Sequence, residues 1–126
     1  MTENLPVIAV IGGTGAEGSG LAARWAHAGY RVIVGSRNAD NALETAKEIG
    51  AEGMDNAAAA ATCNIAVLTV PFAAQRATLI SLREVLQGKI LVDVTVPLVP
   101  PKVMRVRLPE EGCAALIAQS VLGDEV

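Results

Sequence analysis

Residues 7–21 read VIAVIGGTGAEGSGL and change character after Ile11. The first five residues form a continuous apolar run, which is typical of a parallel β-strand that is covered on both faces. Glycines follow at once, and Leu21, Ala22 and Trp25 then recur at helical spacing. The stretch therefore predicts a strand, a tight glycine-rich turn and a helix, in that order.

The same alternation continues along the chain. Apolar runs predict three further strands, a weaker strand is expected at residues 52–54, and the segments that separate and follow the strands predict helices. The four strands are expected at residues 31–35, 52–54, 65–70 and 90–94. Three of the helices have apolar residues at helical spacing that are expected to face the core: Ala39, Ala42, Leu43, Ala46 and Ile49 in the first of these, Leu79, Leu82 and Leu86 in the next, and Cys113, Ala114, Ile117, Ala118 and Val121 in the last. Asn38 or Asp40 is the expected cap of the second helix.

Strands that alternate with helices imply right-handed crossovers and a parallel sheet. The predicted fold class is therefore α/β, a Rossmann-type doubly wound parallel sheet in a three-layer αβα arrangement. A length of 126 residues suits one domain, which we assign to residues 1–126. In such a sheet the loops after Ile11, Gly35, Val70 and Val94 are expected to face one crevice.

The composition excludes several classes of partner. Aromatic residues make up 2% of the chain, the net charge is −3, and the basic residues are scattered along the sequence rather than clustered. This argues against binding to nucleic acid, which needs stacking platforms or a basic footprint. The apolar stretches are shorter than a membrane span and no basic leader precedes the first one, so we expect a cytoplasmic protein. Cys63 and Cys113 lack metal-ligand spacing and are interpreted as buried or half-buried free thiols.

The glycine-rich turn carries the chemistry. Gly13, Gly15 and Gly18 form G-x-G-x-x-G between strand and helix. Gly13 is expected to permit the tight turn, Gly15 to let a pyrophosphate approach the backbone, and Gly18 to let the helix pack close to the sheet. The predicted dinucleotide contacts on this turn are Gly13, Thr14, Gly15, Ala16, Glu17 and Gly18, with Glu17 offering its backbone only. A structural turn and a sulfonium nucleoside site are the alternatives.

The end of the second strand predicts NADP(H) rather than NAD(H). An NAD site places an acid there to accept hydrogen bonds from the ribose, whereas this chain has Gly35, Ser36 and Arg37. Arg37 can form a charge-assisted fork to a 2′-phosphate, and Ser36 and Thr14 can add hydroxyl donors. The alternative is that Arg37 is a solvated surface residue.

Two later loops should border the nicotinamide half of the cofactor. Thr69, Pro71 and Phe72 follow the fourth strand, and Phe72 is either an apolar wall for the cofactor or a plain packing residue. The stiff segment at residues 96–101 is either a wall for the hydride partner, through Pro97 and Leu98, or a rigid connector. Asp93 either caps the backbone near Thr95 or faces the crevice.

No catalytic acid–base set or metal site is predicted. His27, the single histidine, is assigned to the last turn of the first helix, far from the crevice. The chain also shows no Ser/His/Asp set and no catalytic cysteine. This pattern fits direct hydride transfer between two rings, for which the protein supplies position and exclusion of water.

Four segments together resemble the NADPH-dependent F-420 reductases, also called F-420-dependent NADP oxidoreductases, where F-420 is a deazaflavin coenzyme. They are IGGTGAEGSGLA at residues 11–22, VGSR at 34–37, IAVLTVP at 65–71 and PLVP at 97–100. The resemblance implies hydride exchange between NADPH and the deazaflavin. It also implies phosphate contacts from Thr14 to Glu17, a 2′-phosphate site at Ser36 and Arg37, and an aromatic contact at Phe72.

The chain departs from that family in two places. Asn38 and Asn41 lie where a basic residue often follows the Ser-Arg pair. The family also continues into a sixth strand and a helical part that helps to hold the deazaflavin and builds a homodimer, whereas this sequence stops at Val126. We therefore expect the cofactor half of a longer enzyme or a natural short form. An NADP reductase with another acceptor and a non-catalytic NADP(H)-binding module are the alternative functions.

Overall fold

The structure is a computed structural model that describes residues 4–97, 106, 109, 110 and 112–126. Within these ranges five strands form one parallel sheet: β1 (Ile8–Ile11), β2 (Val32–Ser36), β3 (Glu52–Asp55), β4 (Ile65–Leu68) and β5 (Ile90–Asp93). Their order across the sheet is β3-β2-β1-β4-β5. The strand order reverses between β1 and β4, and a ligand crevice is expected at the carboxyl ends of these strands.

Helices cover both faces of the sheet. They are α1 (Ala16–His27), α2 (Ala39–Ile49), α3 (Asn56–Thr62), α4 (Gln75–Leu82), which a short 3₁₀ helix at Phe72–Ala74 precedes, and α5 (Ala114–Leu122). Side chains of α1 and α2 share one core cluster, and those of α3, α4 and α5 share the other. The prediction of a doubly wound parallel sheet in three αβα layers is confirmed.

The central strand β1 shows why the layers form. Its four residues are all buried, and because successive strand residues point to opposite faces, Ile8 and Val10 pack under α1 and α2 while Ala9 and Ile11 pack under α3 and α4. Small residues at the contacts between helix and strand bring the layers close together. A Cβ atom at Gly53 in β3, for example, would lie 2.5 Å from the carbonyl carbon of Ala42 in α2.

The ends of α2 and α3 are set by local capping. The Asn38 Oδ1 atom accepts hydrogen bonds from the backbone N–H groups of Asp40 (2.9 Å) and Asn41 (3.3 Å), so Asn38 rather than Asp40 is the cap. Gly50 ends α2 in the left-handed region at φ +73°. At the start of α3, the Asp55 carboxylate accepts from the Ala58 N–H group at 2.9 Å.

Some details of the helix predictions are wrong. Ala39 and Leu43 are exposed, Leu43 to 46%, because α2 lies over β2 and β3 near the edge of the sheet and only a narrow stripe of it reaches the core. Cys113 is exposed rather than inward-facing, because it is the residue that precedes the first turn of α5. The fourth helix ends at Leu82 and does not include Leu86, and turns continue the chain to Gly88.

Two further observations concern membranes and metals. Among the helices that the structure describes, none combines the length and apolar character needed to cross a membrane. In the same part of the chain, no group of three or more His, Cys, Asp or Glu side chains is placed to hold a metal ion.

Candidate functional site

A cleft of about 1170 Å³ opens at the carboxyl ends of the strands. Residues from the loops after β1, β2, β4 and β5 line it together with the start of α3. The prediction that these loops face one crevice is confirmed. Of the predicted site residues, those that line the cleft are Thr14, Gly15, Ala16, Glu17, Ser36, Arg37, Thr69, Pro71 and Phe72.

The turn after β1 is built by two adjacent glycines. Gly12 takes the left-handed conformation at φ +75°, so it provides the tight turn that the motif predicted for Gly13. Gly13 is needed for space, because a Cβ atom there would lie 2.8 Å from the carbonyl oxygen of Val10. The turn is tied to its neighbours by the Gly13 N–H group, which donates to Gly35 O at 2.9 Å, and by the Gly12 N–H group, which donates to Asn56 Oδ1 at 3.3 Å.

Gly15 and Gly18 have different surroundings. The nearest atom to a Cβ built at Gly15 is Gly12 O at 3.8 Å, so the space in front of this backbone is open to a ligand. A Cβ at Gly18 would lie 2.5 Å from Thr69 Oγ1 and 2.9 Å from Gly13 Cα, which is the close packing of helix on sheet that the motif predicts. Gly13 and Gly18 are buried and support the turn from below.

The first turn of α1 presents hydrogen-bond donors to the cleft. The first hydrogen bond inside the helix is that from the Ser19 N–H group to Gly15 O, at 2.9 Å. The N–H groups of Ala16, Glu17 and Gly18 come before it and have no acceptor within the helix. They also lie at the positive end of the helix dipole, which favours an anion such as a phosphate.

The end of β2 brings a hydroxyl and a positive charge to the same cleft. Ser36 is 8% exposed, and its Oγ atom accepts from the Asn38 N–H group at 3.2 Å, which leaves its own hydrogen available to donate. Arg37 is exposed and is the one cationic residue among the described residues that line the cleft. No carboxylate pairs with it in the described ranges, so its guanidinium is available to an external anion.

The loop after β4 forms the wall of the cleft on the other side of β1 from the end of β2. The Thr69 hydroxyl donates to Ile11 O at 2.8 Å and so joins β4 to β1. Pro71 precedes the 3₁₀ helix and is exposed, while Phe72 is half-buried, and both line the cleft. This wall offers apolar surface and no ionisable group.

The loop after β5 is held by a buried polar network. Asp93 Oδ1 accepts from the Thr95 N–H group at 2.8 Å and Asp93 Oδ2 accepts from Gln75 Nε2 at 2.6 Å. The interpretation of Asp93 as a cap of the backbone near Thr95 is confirmed. Thr95 lines the cleft, and its Oγ1 atom is buried without a hydrogen-bond partner in the described part of the molecule.

Of the two predicted acceptor contacts, the structure describes only Pro97, which does not line the cleft. Pro97 is buried and the neighbouring residue that lines the cleft is Val96. Leu98 lies outside the described residues. His27 is exposed in the last turn of α1, at the end of the helix remote from the cleft.

Sequence reasoning missed two residues of this region. Asn56 lines the cleft and accepts from the glycine turn, and Gln75 is 1% exposed and donates to both Asp93 and Ala114 O. The polar pair Asp55 and Asn56 before the alanine run of α3 was the available signal for Asn56. Gln75 had no signal, because a glutamine in a short helix is ordinarily exposed.

The shifted pKa values lie away from the cleft. A two-point contact joins Arg31 and Glu52, with Nε–Oε2 at 2.7 Å and Nη2–Oε1 at 3.0 Å. It lowers the pKa of Glu52 and raises the pKa of Arg31. Burial raises the pKa of the Cys63 thiol, which donates to Ala60 O.

A parallel sheet in this strand order, with a glycine turn between β1 and α1, defines the Rossmann-type class of nucleotide-binding folds. The comparison with known families is more specific. The chain belongs to the family described as NADP oxidoreductase coenzyme F420-dependent, whose model matches residues 7–97. The resemblance drawn from the sequence is confirmed.

Individual relatives agree with this family. The chain is 47% identical over 100 residues to an F420-dependent NADP reductase of Methanothermobacter marburgensis, covering 72% of this chain and 45% of the relative. It is 38% identical over 129 residues to the enzyme of that name from Methanocaldococcus jannaschii, covering 91% and 57%. The chain thus spans about half the length of the curated relatives that it matches.

A solved structure shares the fold. A hypothetical protein from Sinorhizobium meliloti superimposes with a TM-score of 0.70 at 20% identity, over 92% of this chain and 55% of that one. At this level of identity the match supports the architecture of the sheet and helices alone.

Proposed function

We propose that this chain binds NADP(H) in the cleft and serves hydride transfer between NADPH and a deazaflavin coenzyme of the F420 type. When bound, NADPH supplies the hydride, and the deazaflavin takes up that hydride together with a proton from solvent. The chain's own residues hold the dinucleotide and exclude water from the reacting rings.

The observation that carries the proposal is the pair Ser36 and Arg37 at the rim of the cleft. Arg37 has no carboxylate partner within the described ranges, and the hydrogen of the Ser36 hydroxyl is available beside it. An extra phosphate on the adenosine ribose would satisfy both groups, with Thr14 donating from the adjacent turn. The unbonded N–H groups of Ala16 and Glu17 are suited to the pyrophosphate of the same molecule.

The opposite wall fits the nicotinamide half. Thr69, Pro71 and Phe72 would contact the nicotinamide and its ribose, and the backbone-bonded Thr69 hydroxyl keeps this wall in place. Pro97 and Leu98 would contribute to the acceptor site through the segment that follows β5. No residue is proposed as a catalytic acid or base, because the reaction needs position rather than proton transfer from a side chain.

The whole protein's assembly and location are part of the same proposal. We assign a homodimer, which is supported by the exposed apolar residues Ile90 (60%) and Val92 (44%) on the edge strand β5. We assign the cytoplasm, which is supported by the free thiols of Cys63 and Cys113. Light scattering at several protein concentrations tests the dimer, and a monomer at all of them contradicts it.

Two measurements test the function. Calorimetry with NADPH and NADH should show tighter binding of NADPH, by at least about tenfold, since charged hydrogen bonds to one phosphate are worth roughly 1.5–3 kcal/mol. Anaerobic mixing of the protein, NADPH and oxidised F420 should then bleach the deazaflavin absorbance. Equal affinity for both nicotinamide coenzymes contradicts the NADP assignment, and tight NADPH binding without bleaching contradicts hydride transfer by this chain.

A further inference from the structure

We infer that Asn56 is a specificity-determining residue of this cleft, whose side-chain NH₂ group donates to the phosphorylated ribose of NADP(H). The inference rests on the proposed function, because it concerns the same ligand in the same cleft. It adds a residue from α3 to a site that is otherwise built by β1, β2 and α1.

The sheet places Asn56 beside the end of β2. In the parallel pairing of β2 with β3, Ser36 lies opposite Asp55, and Asn56 is the next residue, the first of α3. A Cβ atom at Gly35 would lie 2.8 Å from Asn56 Oδ1, so the Asn56 amide lies against the backbone of the residue that precedes Ser36. Asn56 therefore lines the same cleft as Ser36 and Arg37, one residue beyond the end of the strand that pairs with β2.

The glycine turn decides which way the Asn56 amide faces. Its Oδ1 atom accepts from the Gly12 N–H group at 3.3 Å, and a backbone N–H can be met by the amide oxygen but not by the amide nitrogen. The NH₂ group therefore points away from the turn. Within the ranges that the structure describes, the nitrogen of this NH₂ group has no hydrogen-bond acceptor. The nitrogen is also not fully buried, because the one buried side-chain atom without a partner in these ranges is Thr95 Oγ1. Because Asn56 is half-buried and lines the cleft, this donor is accessible to a ligand.

The neighbouring donors suggest what that ligand group is. Ser36, Arg37 and Asn56 all line the cleft and carry a hydroxyl, a guanidinium and an amide, and all three can donate to the oxygens of a phosphate monoester. A carboxylate at residue 56 would instead accept from free ribose hydroxyls, as the acid of NAD-binding sites does.

The substitution Asn56→Asp tests this donor with almost no change in shape. Aspartate keeps an oxygen for the Gly12 N–H group and replaces the NH₂ group with a second, negatively charged oxygen. Asn64→Asp is the matched control: Asn64 Oδ1 also accepts from a backbone N–H, that of Val7 at 2.8 Å. It precedes β4, so it lies at the opposite edge of the sheet from the cleft. Both variants of the full chain are titrated with NADPH and with NADH by calorimetry, after thermal unfolding has established that each is folded.

The expected result is that Asn56→Asp weakens NADPH binding by at least about tenfold and NADH binding by less than about threefold, because NADH lacks the 2′-phosphate that loses its donor and meets the new charge. Asn64→Asp should bind both coenzymes as the wild type does. If Asn56→Asp fails to fold, Asn56→Ala is measured instead and should show the same direction of preference.

Three results would overturn the inference. Unchanged NADPH affinity in Asn56→Asp would show that the amide does not meet the phosphate, while the proposed function would stand. An equal loss for NADPH and NADH would show that Asn56 acts only by holding the glycine turn. A wild-type protein that binds neither coenzyme would remove the proposed function and this inference together.

Discussion

Gly18 in α1 approaches Thr69 at the end of β4 so closely that a Cβ atom on Gly18 would lie 2.5 Å from Thr69 Oγ1. The Thr69 hydroxyl cannot simply turn aside, because it donates to Ile11 O at 2.8 Å. The contact thus joins the first turn of α1, the end of β1 and the end of β4. These are the elements that form the middle of the cleft.

Gly18→Ala should therefore destabilise the fold by about 1–3 kcal/mol, the usual cost of overpacking a close contact. Gly20→Ala in the same helix is the control, because a Cβ there meets nothing within 4 Å. It should stabilise the protein by up to about 1 kcal/mol through helix propensity. Urea unfolding of both variants measures the difference, and equal effects would contradict the packing role of Gly18.

Arg37→Ala should weaken NADPH binding by roughly 10–100-fold and leave NADH binding nearly unchanged, because only NADPH carries the phosphate that the guanidinium would pair with. Arg24→Ala is the matched control, since Arg24 is an exposed arginine in the last turn of α1, remote from the cleft. Calorimetry with both coenzymes provides the readout. The assignment of Arg37 fails if both coenzymes lose affinity equally.

Gln75→Leu should destabilise the protein by about 1–3 kcal/mol, because it leaves Asp93 Oδ2 and Ala114 O without their buried donor. Gln87→Leu is a suitable comparison, since Gln87 Nε2 also donates to two carbonyl oxygens, those of Arg83 and Leu122, but on an exposed side chain. Its loss should be smaller because water can replace the donor. Similar unfolding midpoints for both variants would argue against a buried network at Gln75.

The two thiols should differ in reactivity. Cys113 is exposed and should be alkylated by iodoacetamide in the folded protein. Cys63 is buried and its pKa is raised by desolvation, so little reactive thiolate forms and its alkylation should await unfolding. Mass spectrometry of the labelled peptides, with and without urea, distinguishes the two sites. Rapid labelling of Cys63 in the native protein would contradict its burial and would show that the C-terminal end of α3 unfolds locally.

The Arg31–Glu52 pair should give a small pH-dependent contribution to stability. The pKa of Glu52 is lowered on folding from its ordinary value of 4.5. The pair therefore stabilises the protein above that pH, and the contribution is lost as the pH falls through the lowered value. Both side chains are about half exposed, so solvent screens the effect.

Urea midpoints of Glu52→Gln and wild type should thus differ slightly at neutral pH and converge in acid. Glu44→Gln, on the exposed side of α2, measures the effect of losing a carboxylate without an ion pair. A gap between wild type and Glu52→Gln that widens on acidification would contradict a stabilising ion pair with a lowered carboxyl pKa.

Periodic and local signals predicted most of the fold. The buried run of β1, the glycine turn, a cap at Asn38 or Asp40 and the order of strands and helices all depend on residues close in sequence, so they can be recognised without coordinates. The predicted site residues on the turn and at the end of β2 came from the same kind of signal. Wrong predictions concern helix faces and one helix end rather than the existence of elements. Leu43 and Cys113 have helical spacing but are exposed, and α4 ends at Leu82.

The amino-acid sequence by itself determined the class of fold, the glycine turn and the basic residue that follows β2, because each of these features depends on residues that are close together in the chain. Only the tertiary structure decided that Gly12 rather than Gly13 makes the turn, that Gln75 holds Asp93, and that Asn56 meets Gly12 across 44 residues of chain. Such contacts join segments that the crossovers of the sheet bring together. Their partners depend on how the layers pack, which no local pattern of side chains encodes.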